Sequence, residues 1–168
     1  IGKSATAAIA LQLAAEGLLD LDAPVADVLP WFAVRSPFAP ITARHLLSHT
    51  AGIICGSDIA TASSFDAYAL AETEAGAPPG AGFRYSNVGY RVVGLLLERV
   101  SGRAYGELAQ ERVLDRLGLV DSSPVLVNDD RHLIATGHVP WFDDRPWRPA
   151  HGHRPCPWIE SSEADGCL

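Results

Sequence analysis

The sequence predicts a mainly helical chain, on three observations: an N-terminal run with apolar residues at helical spacing, two consecutive helical stretches between residues 88 and 118, and little strand-like alternation anywhere. Residues 3–16 lead, with apolar side chains around nearly the whole circumference and Gln12 and Glu16 as the polar stripe, which predicts a buried helix. Gly17 is placed to stop it in the left-handed conformation. Four prolines, Pro24, Pro30, Pro37 and Pro40, break the next stretch into loops and short pieces. Thr42 is positioned to cap a short helix through Arg44, Leu46 and Leu47 that ends near Gly52. Small residues from 55 to 64 read as loop, residues 65–73 as helix, and Pro78-Pro79-Gly80 as a firm break.

The two later helices carry the clearest period. Val92, Val93, Leu96 and Leu97 define one over residues 88–100, stopped at Ser101-Gly102, and Tyr105, Leu108, Ala109 and Val113 define the next, closed by Gly118. Val125-Leu126-Val127 reads as a short strand, and from there to Ala164 Pro, Trp, His and Arg are scattered without period. The expected organisation is one domain, helical over 1–122 and loop-rich over 123–168.

Composition narrows the function. With 168 residues, 48% hydrophobic and 20% charged, the chain has the apolar mass for a core. A net charge of −7, with Lys3 as the only lysine, argues against a nucleic-acid partner, since phosphate binding needs clustered cations. No apolar run approaches a membrane span. The chain has no methionine and opens with Ile1-Gly2-Lys3 and apolar sequence, so it is expected to be an internal piece of a longer protein. Three widely spaced cysteines, Cys55, Cys156 and Cys167, do not form a disulfide framework; a Cys156–Cys167 bridge would suit an exported protein, free thiols being the simpler reading. Compartment and oligomeric state stay open.

Two places could carry chemistry. Lys3 heads a buried helix, where desolvation and the helix's positive end work against an ammonium, so such a lysine could act as a base toward a serine three positions earlier, on the same helical face. The plain alternative is a lysine snorkelling at a helix end. Tyr85-Ser86-Asn87 lies between the Pro-Gly turn and a helix; a tyrosine there could relay a proton and Asn87 could orient a substrate amide. Alternatively Ser86 or Asn87 caps the helix and Tyr85 fills the core.

These segments together resemble the class C β-lactamase, D,D-peptidase and serine esterase (family VIII type) family. Ile1-Gly2-Lys3 is similar to the tail of its SxxK motif and Tyr85-Ser86-Asn87 to its YxN motif, at about the family's separation. Residues 19–25 (LDLDAPV), 41–52 (ITARHLLSHTAG), Pro79-Gly80, 96–105 (LLERVSGRAY) and Leu117-Gly118-Leu119 extend the likeness over 1–122. Arg116 stands where the family usually has proline, and residues 164–168 only loosely match its Ala-Gly-Gly-Leu stretch.

The resemblance implies the α+β fold of serine β-lactamases and D,D-peptidases, of which this chain covers mainly the helical region, the sheet strands being largely outside it. It also implies hydrolysis or transfer of an amide or ester acyl group through a serine acyl-enzyme. Lys3 and Tyr85 would be the proton-transfer groups, which of them is the base being left open, and Asn87 would bind substrate. The partner is a small-molecule or peptide-like acyl substrate, with no metal or other cofactor. The serine would directly precede Ile1 and the third motif would come after the chain, so the piece alone is expected to be inactive. Two other readings stand beside it: an inactive relative that binds cell-wall peptide, and a P-loop nucleotide-binding protein in which Gly2-Lys3-Ser4 ends the loop. His151, His153 and Cys156 suggest zinc but lack a standard spacing, and His45 and His49, on one helical face, read as structural residues that pin a helix end.

Overall fold

A computed structural model of the chain describes residues 2–53, 70, 71, 73–140, 152–156 and 158. The described chain divides into two compact units, one running to Val125 and the other beginning at Leu126.

The first unit is helical. Helix α1 (Gly2–Ala15) buries Ile9, Ala10 and Leu13 completely but leaves Leu11 58% exposed, so only one side of this all-round apolar helix meets core within the described residues. It ends as expected: Gly17 has φ 75°, and the Leu18 N–H reaches back to the Leu13 carbonyl at 2.9 Å, closing a Schellman motif. After α2 (Val25–Val28) and an irregular stretch of turns and bends comes α3 (Ala43–Leu47). Thr42 caps α3 reciprocally, its hydroxyl taking the His45 N–H while the His45 Nδ1 takes the Thr42 N–H at 3.2 Å. The LDLDAPV stretch is tied to this cap region. Val25 N–H donates to the Ile41 carbonyl at 2.9 Å, and Arg44 grips Asp22 through two bonds of 2.7 and 2.9 Å. That ion pair is exposed and holds register more than it adds stability.

Helix α4 (Asn87–Ser101) is capped by the Ser86 hydroxyl, which accepts from Gly89 N–H at 3.0 Å, and stops at Gly102 with φ 70°. Its Val92, Val93, Leu96 and Leu97 are fully or almost fully buried, in a helix that packs against α1 and α3. Glu98 then caps the next element from outside, its carboxylate accepting the Tyr105 N–H at 2.7 Å. That element is α5 (Tyr105–Ala109), which runs on through a π-helical turn (Gln110–Leu114) into α6 (Asp115–Leu117) and the left-handed Gly118. A buried hydroxyl pair, Thr6 Oγ1 and Tyr105 OH at 2.8 Å, joins α1 to α5.

Beyond Val125 the expected strand at 125–127 does not form; Leu126 makes only an isolated bridge. The second unit instead holds a 3₁₀ turn (Asn128–Leu133) and two short antiparallel strands, β1 (His138–Pro140) and β2 (His153–Pro155), which pair Val139 with Arg154. Two three-residue strands rich in His and Pro give no alternation to read, so the sequence does not announce this pair. The expected loop at 55–64, most of the expected helix at 65–73, His151 and the Cys156–Cys167 pairing lie outside the described residues. Of the expected helix, Leu70 and Ala71 are helical while Thr73 has already left it.

Removing the Leu97 side chain leaves a cavity in the α1–α4 core, so Leu97→Ala should lower the free energy of unfolding by about 2–5 kcal/mol in a denaturant titration. Gly52 has φ 71°, and a Cβ there would run into the Ala77 carbonyl oxygen. Gly52→Ala should therefore cost more than the about 1 kcal/mol of an ordinary glycine exchange, read in the same titration.

Candidate active site

Three segments meet at the head of α1. The first is α1 itself, whose second residue, Lys3, is half-buried. The second is the segment just past α3, where the helix stops at Leu47 and not near Gly52. The third is the stretch from Gly76 to Ser86, which runs irregularly beside the second. Gly76 N–H donates to Gly52 O at 2.9 Å, Gly80 N–H to Thr50 O at 2.8 Å, and Arg84 N–H to His49 O at 2.7 Å. Prolines at 78 and 79 cannot donate to such a ladder, so the contacts fall on the residues around them.

This arrangement delivers Tyr85 to Lys3. The Lys3 Nζ lies 5.1 Å from the centre of the Tyr85 ring and 5.5 Å from that of Tyr90, within cation–π range of both. Tyr85 is 57% exposed, so it does not fill the core. Asn87 comes next as the first residue of α4, half-buried, with Ser86 as the cap before it. The structure thus brings Lys3 and Tyr85 together at the helix head, with Asn87 two residues beyond the tyrosine at the start of α4.

Two further residues belong to this cluster. Tyr90 is buried, and its hydroxyl donates to the Leu47 carbonyl at 2.9 Å. Burial, and after it the neighbouring Tyr85, pushes its phenol above the ordinary value. His49 does not share a helical face with His45, because it lies beyond the end of α3 with φ 57°. His45 pins the start of α3, whereas His49 turns its ring onto three aromatic neighbours: Tyr85 at 4.6 Å, Tyr90 at 5.0 Å and Phe83 at 5.6 Å between ring centres. Its Nδ1 accepts the Ser86 N–H at 3.1 Å, which requires a neutral ring protonated at Nε2. Burial, and secondarily the charge of Lys3, lowers its pKa from the usual 6.5. A histidine directly before Thr-Ala-Gly is the one sequence signal for this role, since a residue just short of a loop glycine is free to leave the helix.

The cluster contains an amine, an exposed phenol and a neutral imidazole, a set suited to moving protons rather than to binding a cation. Among the described residues no group of three or more His, Cys, Asp or Glu is placed to hold a metal ion, and no helix is long and apolar enough to cross a membrane.

Comparison with known proteins gives a consistent answer. The Beta-lactamase family matches residues 1–157, Gly2-Lys3-Ser4 included, and runs past the 122 residues over which a likeness can be read by motif. Penicillin-binding protein 4 of Amycolatopsis lactamdurans is 32% identical over 146 residues, 83% of this chain and 38% of that protein. Esterase EstB of Burkholderia gladioli is 30% identical over 167 residues, 87% of this chain and 41% of its own length. Among solved structures, the octameric penicillin-binding protein homologue from Pyrococcus abyssi superposes with a TM-score of 0.78 at 28% identity, covering 99% of this chain and 40% of that one. The chain therefore spans about two fifths of the length of these relatives. Sequence and fold agree that this chain belongs to the beta-lactamase family, the group that holds penicillin-binding proteins and esterases of the serine-hydrolase kind.

Proposed function

We propose that the protein containing this chain hydrolyses or transfers an amide or ester acyl group through a serine acyl-enzyme, with Lys3 and Tyr85 as the proton-transfer groups and Asn87 orienting the substrate. The observation that carries the reading is the 5.1 Å approach of the Lys3 amine to the Tyr85 ring, which couples two segments far apart in the chain. Relatives named as a penicillin-binding protein and as an esterase support both halves of the substrate class, amide and ester.

The steps balance without a metal. A serine one turn before Lys3 forms a bond from its oxygen to the substrate carbonyl carbon, and its proton passes to the Lys3–Tyr85 pair. The tetrahedral adduct then expels the amine or alcohol, which takes up that proton as the C–N or C–O bond breaks. Water, or another hydroxyl or amine, attacks the acyl-serine ester by the same route and frees the serine. An exposed phenol beside a half-buried amine suits this relay, because the phenol faces incoming substrate while the amine stays shielded.

In the full-length protein, a fluorescent penicillin or fluorophosphonate should label stoichiometrically, and peptide mass spectrometry should find the label on the residue directly before Ile1. Absence of labelling by both probes overturns the reading, and retained penicillin affinity in that case would identify a non-catalytic binder. Lys3→Ala and Tyr85→Phe should each slow acylation by about 100-fold or more, the usual size of an acid–base contribution, without a matching fall in unfolding temperature. Asn87→Ala should act mainly on KM, measured with the same substrates.

A further inference from the structure

We propose that His49 is the positioning residue for Tyr85: its backbone and its ring together hang the 83–86 turn against the head of α1. The inference rests on the acyl-transfer reading for its consequence in rate, but its geometry stands apart from it.

Two of the turn's backbone N–H groups, on either side of Tyr85, end on His49. Arg84 donates to the His49 carbonyl at 2.7 Å and Ser86 to the His49 Nδ1 at 3.1 Å. The ring lies against Tyr85 itself, 4.6 Å between centres and tilted by 31°, and against Tyr90, 5.0 Å away and tilted by 36°. Both anchors are available at once because His49 has φ 57°, the only non-glycine positive φ among the described residues. Such backbone persists only where surrounding contacts impose it. A glycine would take this conformation at ease but would offer no acceptor and no ring. Histidine stands here against backbone preference, and what it adds is the Nδ1 acceptor and the aromatic face.

The Ser86 bond has a chemical condition. The charged and titratable groups facing the imidazole are Lys3 from α1, Tyr85 from the turn and Tyr90 from α4. Protonation at Nδ1 would set a donor against the Ser86 donor and a cation beside Lys3, so the anchor holds only with the neutral ring. The folded-state pKa lies below the usual 6.5, so on acidification the unfolded chain takes up this proton first. The contribution of the neutral ring is complete above pH 6.5 and is lost as pH falls below it toward the lower folded-state value.

Two substitutions in the full-length protein separate the roles. His49→Gly relaxes the backbone while removing acceptor and ring, and His49→Asn tolerates the positive φ and carries Oδ1, a non-titrating acceptor, at the position of Nδ1. Expected for His49→Gly is a folded protein whose Ser86 amide exchanges with solvent about 10-fold faster or more and whose acylation by fluorescent penicillin slows by a similar factor. His49→Asn should recover part of both, and the acid limb expected in the acylation rate of the unsubstituted protein, below the lowered pKa of His49, should shrink in it. Exchange within about 2-fold of the unsubstituted protein in His49→Gly, or no recovery in His49→Asn, overturns the proposal. An unchanged acid limb in His49→Asn overturns it as well. If the unsubstituted protein is not acylated at all, the acyl-enzyme reading fails by itself, and Ser86 exchange alone decides whether His49 holds the turn.

Discussion

The packing of α1 against α4 is the constraint on which the candidate site depends. Ile9 and Leu13 on one helix and Val92, Val93, Leu96 and Leu97 on the other are buried together, so the two axes cannot slide without opening voids in a close-packed interior. Lys3 sits nearly two turns before Ile9 and Tyr85 just ahead of the cap of α4, so both polar groups are carried by the ends of elements whose middles are locked. A site built in this way inherits its precision from apolar contacts that touch no substrate. The ring of His49 then supplies the fine placement that helix packing alone cannot, since Tyr85 lies outside either helix.

Much of this is readable from the sequence because the signals are local. Gly17, Gly102 and Gly118 all adopt the left-handed conformation expected of helix stops, and Thr42 and Ser86 cap the helices that begin after them. These features depend on backbone geometry within one turn, and a single sequence contains that information. The pairing of Lys3 with Tyr85 is legible for a different reason: two short motifs at a family's separation imply a spatial meeting that no local rule would give.

The features that escape the sequence depend on contacts across the chain or on ambiguous periods. The helix after Thr42 is expected to reach the neighbourhood of Gly52, yet it stops at Leu47, because Ser48 and Thr50 bond to each other and to carbonyls of the last turn while the backbone turns over at His49. Leu11 is expected inside and is exposed, since an apolar circumference says that a helix can be buried all round, not that partners surround it. His49 pairs with His45 in the sequence pattern, but four residues apart means one face only while a helix continues. Tyr90, one turn into α4, looks like any apolar position of an amphipathic helix.

The π-helical turn at Gln110–Leu114 carries a consequence for register. Residues 105, 108, 109 and 113 face inward at ordinary helical spacing, but Leu114, five residues after Ala109, is buried as well, a phase that an uninterrupted α-helix would not produce. The widened turn absorbs the mismatch and leaves Arg112, mostly shielded, to clamp Glu16 at the far end of α1, with one bond at 3.0 Å. Losing one residue from this stretch would restore regular winding and set Leu114 four residues after Ala109, still inward, whereas gaining one would swing everything downstream by roughly a quarter turn. An insertion would carry Leu114 out of the interior, so this segment should accept the loss of one residue far better than the gain of one.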